Sequence, residues 1–149
     1  MDETDRRILH ALQRDATLSM DALAEAANLS RNACWRRMRQ MEEAGIIRAR
    51  VALVDAEAAG CPQEVLVMIR AGAHAPDWLD KFARAARTFP EIIAAYRMAG
   101  DLDYVLRVRV ADVPSYDRFY RKLIAAVPVS DISASFVMEH IKDSTELPL

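Results

Sequence analysis

The stretch from Asn28 to Gly45, N-L-S-R-N-A-C-W-R-R-M-R-Q-M-E-E-A-G, is the most informative segment for the fold of the first part of the chain. Ser30 can cap a helix, because its hydroxyl can accept a hydrogen bond from an otherwise unpaired amide of the first turn. Gly45 follows the last periodic residues and is typical of a helix end. The stretch therefore predicts a helix over Ser30–Ala44.

The predicted helix has one apolar and one cationic side. Cys34, Met38 and Met41 recur at helical spacing, so we expect them to point into a core, where a free cysteine is usually a small packing residue. Arg37 borders this side and is predicted to form an internal ion pair. The remaining large polar and aromatic side chains project outward: Arg31, Asn32, Trp35, Arg36 and Arg39.

Two shorter helices are predicted before this one, over Thr4–Arg14 and Met20–Ala27, with a turn of a few residues leading into the basic helix. Two short helices joined by a tight turn, the second of them basic, are typical of a helix-turn-helix. The segment Ile46–Val54 alternates arginine with small and β-branched residues. It predicts a two-stranded wing whose Arg48 and Arg50 reach phosphates.

The charge distribution points to nucleic acid. The whole chain has a net charge of −2, but six arginines and two glutamates between residues 28 and 52 give this part +4. A basic patch on an acidic body is typical of a DNA-binding protein whose other part has a second role. Asn32 or Arg36 would contact base edges, and Trp35 would stack on a sugar or, the reading we favour, pack against the first helix. The predicted DNA contacts are Ser30, Arg31, Asn32, Trp35, Arg36, Arg39, Arg48 and Arg50.

The second half predicts a different fold. Its elements follow the order β-α-β-β-α-β, which is the ferredoxin-like plan, so the fold class is α+β. The predicted elements are Gln63–Ala71, Pro76–Thr88, Glu91–Ala99, Leu102–Val110, a helix capped by Asp112 and ended by Pro128, and Asp131–Ile141. The predicted domains are residues 1–54 and 63–149, joined by a linker over residues 55–62. Because the first strand is apolar on both faces, we expect a second copy to cover the face without helices.

Several classes of protein are not expected. With no apolar N-terminal run, no secretory signal is predicted and a cytoplasmic location is the default. Cys34 and Cys61 form no pair of metal-ligand spacing, and His10, His74 and His140 form no cluster, so no metal or cofactor is expected. The alternative to a regulator is an enzyme of the same plan, such as a tetrapyrrole (sirohaem-type) decarboxylase or another dimeric ferredoxin-like enzyme. Three scattered histidines and an intact basic helix argue against it.

The chain resembles the Lrp/AsnC (feast/famine) family of transcription regulators over essentially its full length. The resemblance rests on L-Q-R-D-A-T-L-S (residues 12–19), A-L-A-E-A-A-N-L-S (22–30), R-M-R-Q-M-E-E-A-G-I-I (37–47), A-G-D-L-D-Y (99–104) and V-M-E-H-I-K (137–142). Within the family, the chain resembles a cysteine-responsive subgroup. This resemblance rests on the motifs C-W-R-R (34–37), Y-R-M-A-G (96–100), Y-D-R-F-Y-R-K-L (116–123) and the final L-P-L.

The resemblance implies a winged helix-turn-helix, a ligand-sensing oligomeric domain and an assembly of dimers, commonly four in a ring. It also implies an amino-acid effector bound between subunits near the Gly-Asp hairpin. Asp101 or Asp103 could hold the ammonium group of such an effector, and the two serines of the last strand could help to hold its carboxylate; without the resemblance, the same Gly-Asp pair is simply a tight turn. The effector-site candidates are Tyr96, Met98, Gly100, Asp101, Asp103, Tyr104, Ser133 and Ser135, of which the tyrosines and Met98 would form a pocket wall or belong to the core.

Overall fold

A computed structural model of the chain describes residues 1–71 and 76–149. Its contacts divide the chain into a first unit, Met1–Leu53 with Ile141–Leu149, and a second unit, Val54–His140. His74 lies outside the described residues. Every helix within the described ranges is too short or too polar for a membrane span. The elements are α1 (Glu3–Arg14), α2 (Met20–Ala26), α3 (Arg31–Glu43), β1 (Gln63–Arg70), α4 (Pro76–Thr88), β2 (Ile92–Arg97), β3 (Tyr104–Val110), α5 (Val113–Ala126) and β4 (Asp131–Phe136).

The start of α1 is tied to α3 by an ion pair. Asp2 caps α1 by accepting a hydrogen bond from the Asp5 amide, and the Asp5 side chain accepts one from the Asp2 amide in return. The Arg37 guanidinium lies 2.7 Å from Asp2 Oδ2 and 2.8 Å from Asp5 Oδ1. The amide of Asp5 and then the Arg37 guanidinium lower the pKa of Asp2 to about 2. The predicted internal ion pair of Arg37 is confirmed.

The helix-turn-helix is confirmed, and its turn follows from local residues. Asn28 takes a left-handed backbone conformation with φ 55°, which asparagine tolerates better than most residues. The Leu29 amide then donates to the Ala24 carbonyl at 2.8 Å, and the Ser30 hydroxyl accepts from the Ala33 amide at 3.3 Å. This turn fixes where α3 begins.

The end of α3 also follows the sequence pattern. Gly45 has φ 70°, and the Ile46 amide donates to the Met41 carbonyl at 2.9 Å, which closes the last turn. Cys34, Met38 and Met41 are buried as predicted. They pack with the apolar sides of α1 and α2, which contribute Ile8, Leu9, Leu23, Ala24 and Ala27.

The predicted two-stranded wing does not form, since residues 46–54 contain no strand. A hairpin needs a returning strand, and the chain instead enters a helical turn: the Asp55 side chain accepts from the Ala58 amide at 2.8 Å. Without a partner, Val51, Leu53 and Val54 are 73–76% exposed. The segment that was predicted to be a wing is therefore an unpaired apolar stretch.

The last residues of the chain, Ile141–Leu149, make their contacts within the first unit. The Leu147 amide donates to Gln13 Oε1 at 2.6 Å, and the Gln13 side chain donates back to the Leu147 carbonyl at 3.4 Å. Glu146 Oε1 lies 3.0 Å from Arg14 Nε and 3.4 Å from His10 Nδ1. The tail, Ile141–Leu149, therefore binds along α1.

The second unit is a four-stranded antiparallel sheet in the order β2-β3-β1-β4, which confirms the ferredoxin-like plan. Alternate residues of β1 and β3 are buried on one face beneath α4 and α5. Asp112 caps α5 as predicted, accepting from the Ser115 amide at 2.7 Å. The core residues on this face include Val65, Val67, Ile69, Leu106, Val108, Phe119 and Leu123.

The four strands of the sheet are all shorter than predicted, and β1 ends at Arg70 rather than Ala71. β2 covers Ile92–Arg97 rather than Glu91–Ala99, and β3 begins at Tyr104 rather than Leu102. The last strand ends at Phe136 rather than Ile141, although the Val137 amide still donates to the Glu64 carbonyl at 3.0 Å near the start of β1.

The opposite face of the sheet carries no helix, and we call it the helix-free face. Strand register arranges it in rows across all four strands: Tyr96–Val105–Met68–Ser133, and next to it Ala94–Arg107–Leu66–Ser135. A third row pairs Glu64 with Arg109, whose Nη2 lies 2.7 Å from Glu64 Oε2. Leu66 and Met68 therefore lie at the centre of a face that no helix of this unit covers.

Candidate functional site

One side of α3 is exposed along its length. Asn32, Trp35, Arg36 and Arg39 recur at spacings of three and four residues, so they lie one above another on the helix surface opposite the buried side. We call these four residues the outer face of α3. A short, cationic helix surface backed by an apolar core has the shape and charge needed to enter the major groove of DNA.

Most arginines around the outer face are held by carboxylates. Arg31 Nη1 lies 3.3 Å from Asp21 Oδ2, and Arg39 Nη2 lies 3.5 Å from Glu43 Oε1. The Arg36 guanidinium has no ion pair or hydrogen bond with any residue in the described ranges. Arg36 can therefore bind an anion or a base edge without first leaving another partner.

The two arginines after α3 also differ from each other. Arg50 Nη2 lies 2.6 Å from Glu42 Oε1. Arg48 is exposed and makes no ion pair within residues 1–71 and 76–149. Of the two predicted phosphate contacts, only Arg48 is available without first leaving a carboxylate.

Trp35 does not pack against the first helix, and the interpretation that favoured packing is wrong. Its side chain is 56% exposed, and the Arg39 guanidinium lies over the indole ring, 5.9 Å from the centroid. The helical spacing puts Trp35 on the outer face because Cys34 and Met38 already occupy the buried side. Ser30, also a predicted contact, serves as the helix cap.

The Gly-Asp connection between β2 and β3 is held against the end of β1 by Asp103. Its Oδ2 accepts from the Ala71 amide at 2.8 Å, and its backbone amide donates to the Ile69 carbonyl at 3.1 Å. Its carbonyl accepts from the Met98 amide at 2.8 Å. Gly100 has φ 144°, a conformation that side chains disfavour. These contacts give Asp103 a structural role in shaping the turn.

Asp101 stands at the outside of this turn. Arg70 Nε donates to the Asp101 carbonyl at 3.0 Å, and Arg70 Nη1 lies 2.8 Å from Asp131 Oδ2 at the start of β4. The Asp101 carboxylate itself has no hydrogen bond or ion pair in the described part of the chain. The sequence analysis did not identify Arg70. Its position could have been noticed, because Arg70 ends the apolar strand β1 and lies on the same face as Leu66 and Met68.

The other effector candidates do not converge in one chain. Tyr104 is 5% exposed and packs beside Trp78 and Phe82 under the helices, so it is a core residue and not a pocket wall on the helix-free face. Tyr96 and Ser133 share one row on the helix-free face, but two strands separate them, a distance of about 14 Å at ordinary strand spacing. Ser135 lies in the next row. One small amino acid cannot touch Tyr96 and Ser133 in a single subunit.

Within the described residues, no three His, Cys, Asp or Glu side chains come together as metal ligands. His10 contacts Glu146, and His140 Nε2 lies 3.8 Å from Glu64 Oε2. Cys34 is buried, and burial raises the pKa of its thiol, which makes it a poor nucleophile.

Family models match both halves of the chain. Residues 1–48 match a model described as winged helix-turn-helix DNA-binding. Residues 64–147 match a model described as Lrp/AsnC ligand binding domain. The two matches fall on the halves that carry the outer face of α3 and the Gly-Asp turn.

Similar proteins share almost the whole length. The glutamate uptake regulatory protein of Zymomonas mobilis is 48% identical, over 100% of this chain and 91% of its own. A crystal structure of an AsnC family transcriptional regulator from Agrobacterium tumefaciens has 47% identity and a TM-score of 0.95, covering 99% of this chain and 97% of the other. A transcriptional regulator from Neisseria meningitidis, solved in complex with L-Met, has 32% identity and a TM-score of 0.94, covering 99% and 96%.

Proposed function

We propose that this chain, which belongs to the Lrp/AsnC family of transcription regulators, reads operator DNA with the outer face of α3 and responds to a small amino acid bound at the Gly-Asp turn. It is a DNA-binding regulator that responds to amino acids. The observation that carries the DNA-reading proposal is the unpaired Arg36 at the centre of an exposed, cationic helix face. Asn32 and Arg36 would contact base edges, and Arg48 would add affinity through phosphates.

The remaining predicted DNA contacts have lesser roles. Arg31, Arg39 and Arg50 are paired with carboxylates, so each gains less from a phosphate than a free arginine does. Repulsion between these carboxylates and DNA would release the arginines toward phosphate as the helix enters the groove. Ser30 would affect DNA binding indirectly, because it caps α3 and so fixes the position of the first turn of this helix.

We propose a homodimer that pairs through the helix-free face, with further association of dimers into a ring of four. The support for this proposal is the presence of apolar side chains that are exposed to solvent in the single chain. Leu66 and Met68 lie at the centre of the helix-free face, and Met138 and Ile141 are both 93% exposed. A dimer would also set the spacing of two α3 helices on a two-fold symmetric operator.

Leu66→Glu is expected to shift the full chain toward the 16.7 kDa monomer in sedimentation equilibrium. A charge at the centre of a paired face would lose its hydration without gaining a partner. Ile124→Glu is the matched control, because Ile124 is similarly exposed (40% against 36%) but lies on α5, on the other side of the sheet. Equal masses for the two variants would contradict pairing through the helix-free face.

We propose that the effector binds between subunits, with Asp101 as the partner of its ammonium group. The Asp101 carboxylate is unpaired in the described chain and projects from a turn that Asp103 and Arg70 hold in place. Met98 adjoins the same turn, whereas Ser133, Ser135 and Tyr96 would belong to the site only through a second copy. The motifs shared with the cysteine-responsive subgroup make cysteine the first candidate.

Asp101→Ala is expected to abolish the effect of the amino acid on DNA binding while the DNA affinity without effector stays unchanged. The loss of the only unpaired carboxylate among the described residues of the turn removes the attraction for the ammonium group. The measurement is calorimetric titration with L-cysteine, L-methionine and L-glutamate, followed by gel shifts with and without the amino acid that binds. Asp80→Ala, an exposed aspartate on α4, is the matched control. Wild-type affinity in Asp101→Ala would remove this residue from the site.

A further inference from the structure

The two tryptophans of the chain have opposite environments. Trp78 is buried, stacks on Phe82 with ring centroids 5.2 Å apart, and donates its indole N–H to the Pro128 carbonyl. Trp35 is more than half exposed, and no core residue needs it. An exposed apolar side chain in the middle of a cationic helix face contributes little to the stability of the fold. A contact with the molecule that this face binds would explain its presence.

The position of the Trp35 ring is restrained from one side. The Arg39 guanidinium lies over the ring, 5.9 Å from its centroid, and is itself held by Glu43 at 3.5 Å. A cation over an aromatic face is attracted by the electrons of the ring. One side of the indole is therefore covered by Arg39, which lies one turn further along α3. Asn32 lies one turn before Trp35, and Arg36 follows it directly in sequence.

The groove that α3 would enter offers few groups that suit an indole. Base edges in the major groove present hydrogen-bond acceptors and amino donors, which Asn32 and Arg36 can satisfy. The C5-methyl group of thymine is the apolar exception. Tryptophan has a single N–H donor and a large apolar surface, so it matches the methyl group far better than it matches a polar edge.

We propose that Trp35 reads a thymine methyl group, so that each half of the operator requires a T·A pair beneath the indole ring. This inference rests on the proposed function, because it assumes that α3 lies in the major groove. Arg39 acts as the positioning residue that holds the ring. A cytosine in place of the thymine would leave the indole without an apolar partner and set an amino group against it.

The experiment begins with a selection of binding sites from random-sequence duplexes by the full-length wild-type chain and by Trp35→Ala. The wild-type chain is expected to select an invariant T·A pair in each half-site, and Trp35→Ala is expected to lose this preference and keep the others. Ile46→Ala is the matched control, since Ile46 is an exposed apolar side chain of the same unit that lies outside the outer face. It should select the same sites as the wild type.

The second step removes the methyl group alone. Replacing that thymine by deoxyuridine in the selected duplex should weaken wild-type binding about fourfold, the effect of one buried methyl-sized group. Trp35→Ala should bind the two duplexes equally, and Ile46→Ala should discriminate between them as the wild type does. Because Trp35 is exposed, its replacement should leave the fold intact, which thermal unfolding verifies.

The outcomes separate the inference from the function on which it rests. If the wild-type chain enriches no sequence, the proposed function fails. If it enriches an operator but Trp35→Ala selects the same thymine, or deoxyuridine leaves wild-type affinity unchanged, only the role of Trp35 is overturned. A uniform loss of Trp35→Ala affinity on every duplex, without methyl dependence, would assign the ring to the sugar-phosphate backbone and also overturn it.

Discussion

Arg36→Ala is expected to weaken binding to the selected operator by about ten- to a hundredfold, the range for removal of a good base-reading side chain. The effect is large because the wild-type guanidinium is exposed and unpaired in the described part of the chain, so all of its hydrogen-bonding capacity is available to DNA. Arg39→Ala should have a smaller effect, since Arg39 must share its charge with Glu43. Gel shifts at fixed salt measure both.

The matched control for Arg36→Ala is Arg84→Ala, which removes another exposed arginine, from α4 in the second unit. It lowers the net charge of the chain by the same amount and should leave operator affinity unchanged. Unrelated DNA gives a second readout, because a side chain that reads a base adds more affinity on the operator than on other sequences, whereas a phosphate-binding side chain adds the same to both. Equal affinities for the two variants would exclude Arg36 from the interface.

Leu23→Ala and Leu123→Ala are expected to destabilise different halves of the chain, each by about 2–5 kcal/mol, as for other fully buried leucines. Leu23 is buried among the helices of the first unit, and Leu123 is buried between α5 and the sheet of the second unit. The substitutions are chemically identical. They therefore test whether the two cores unfold separately.

Urea unfolding provides the measurement. The near-ultraviolet circular dichroism of Trp78 reports on the second core and should shift only in Leu123→Ala. Operator binding should be lost at lower urea in Leu23→Ala without a shift of the Trp78 signal, because Leu23 lies in the small helical core that holds α3. A single transition shifted equally by both substitutions would show that the chain unfolds as one cooperative body.

The elements that were predicted well are those whose ends are marked by local chemistry. Ser30 and Gly45 bracket α3 because a cap hydroxyl and a left-handed glycine are requirements of the helix itself. Asp112 marks α5 for the same reason. Residues Ile46–Val54 have the composition of a strand, but a strand also needs a partner, and alternation in one segment cannot supply it.

For the candidate sites too, local sequence patterns did not predict features that depend on contacts with residues distant in the sequence. Helical spacing identified the outer face of α3, yet it could not decide whether Trp35 turned inward, since that depended on how much room Cys34 and Met38 left in the core. For the proposed effector site, motif resemblance pointed to the Gly-Asp turn but did not distinguish the contacts of Asp101 from those of Asp103. The Asp101 carbonyl accepts a hydrogen bond from Arg70, and the Asp103 side chain accepts one from the Ala71 amide. Both donors lie about thirty residues earlier in the sequence, so local motifs do not reveal these contacts.

The tail that binds along α1 means that the DNA-reading head is encoded in two pieces, with the whole sensing domain inserted between them. Grafting this head onto another sensor by cutting once after residue 54 would remove Glu146 and Leu147 and leave Gln13 and Arg14 without their partners. A working chimaera has to carry residues 141–149 as a second fragment.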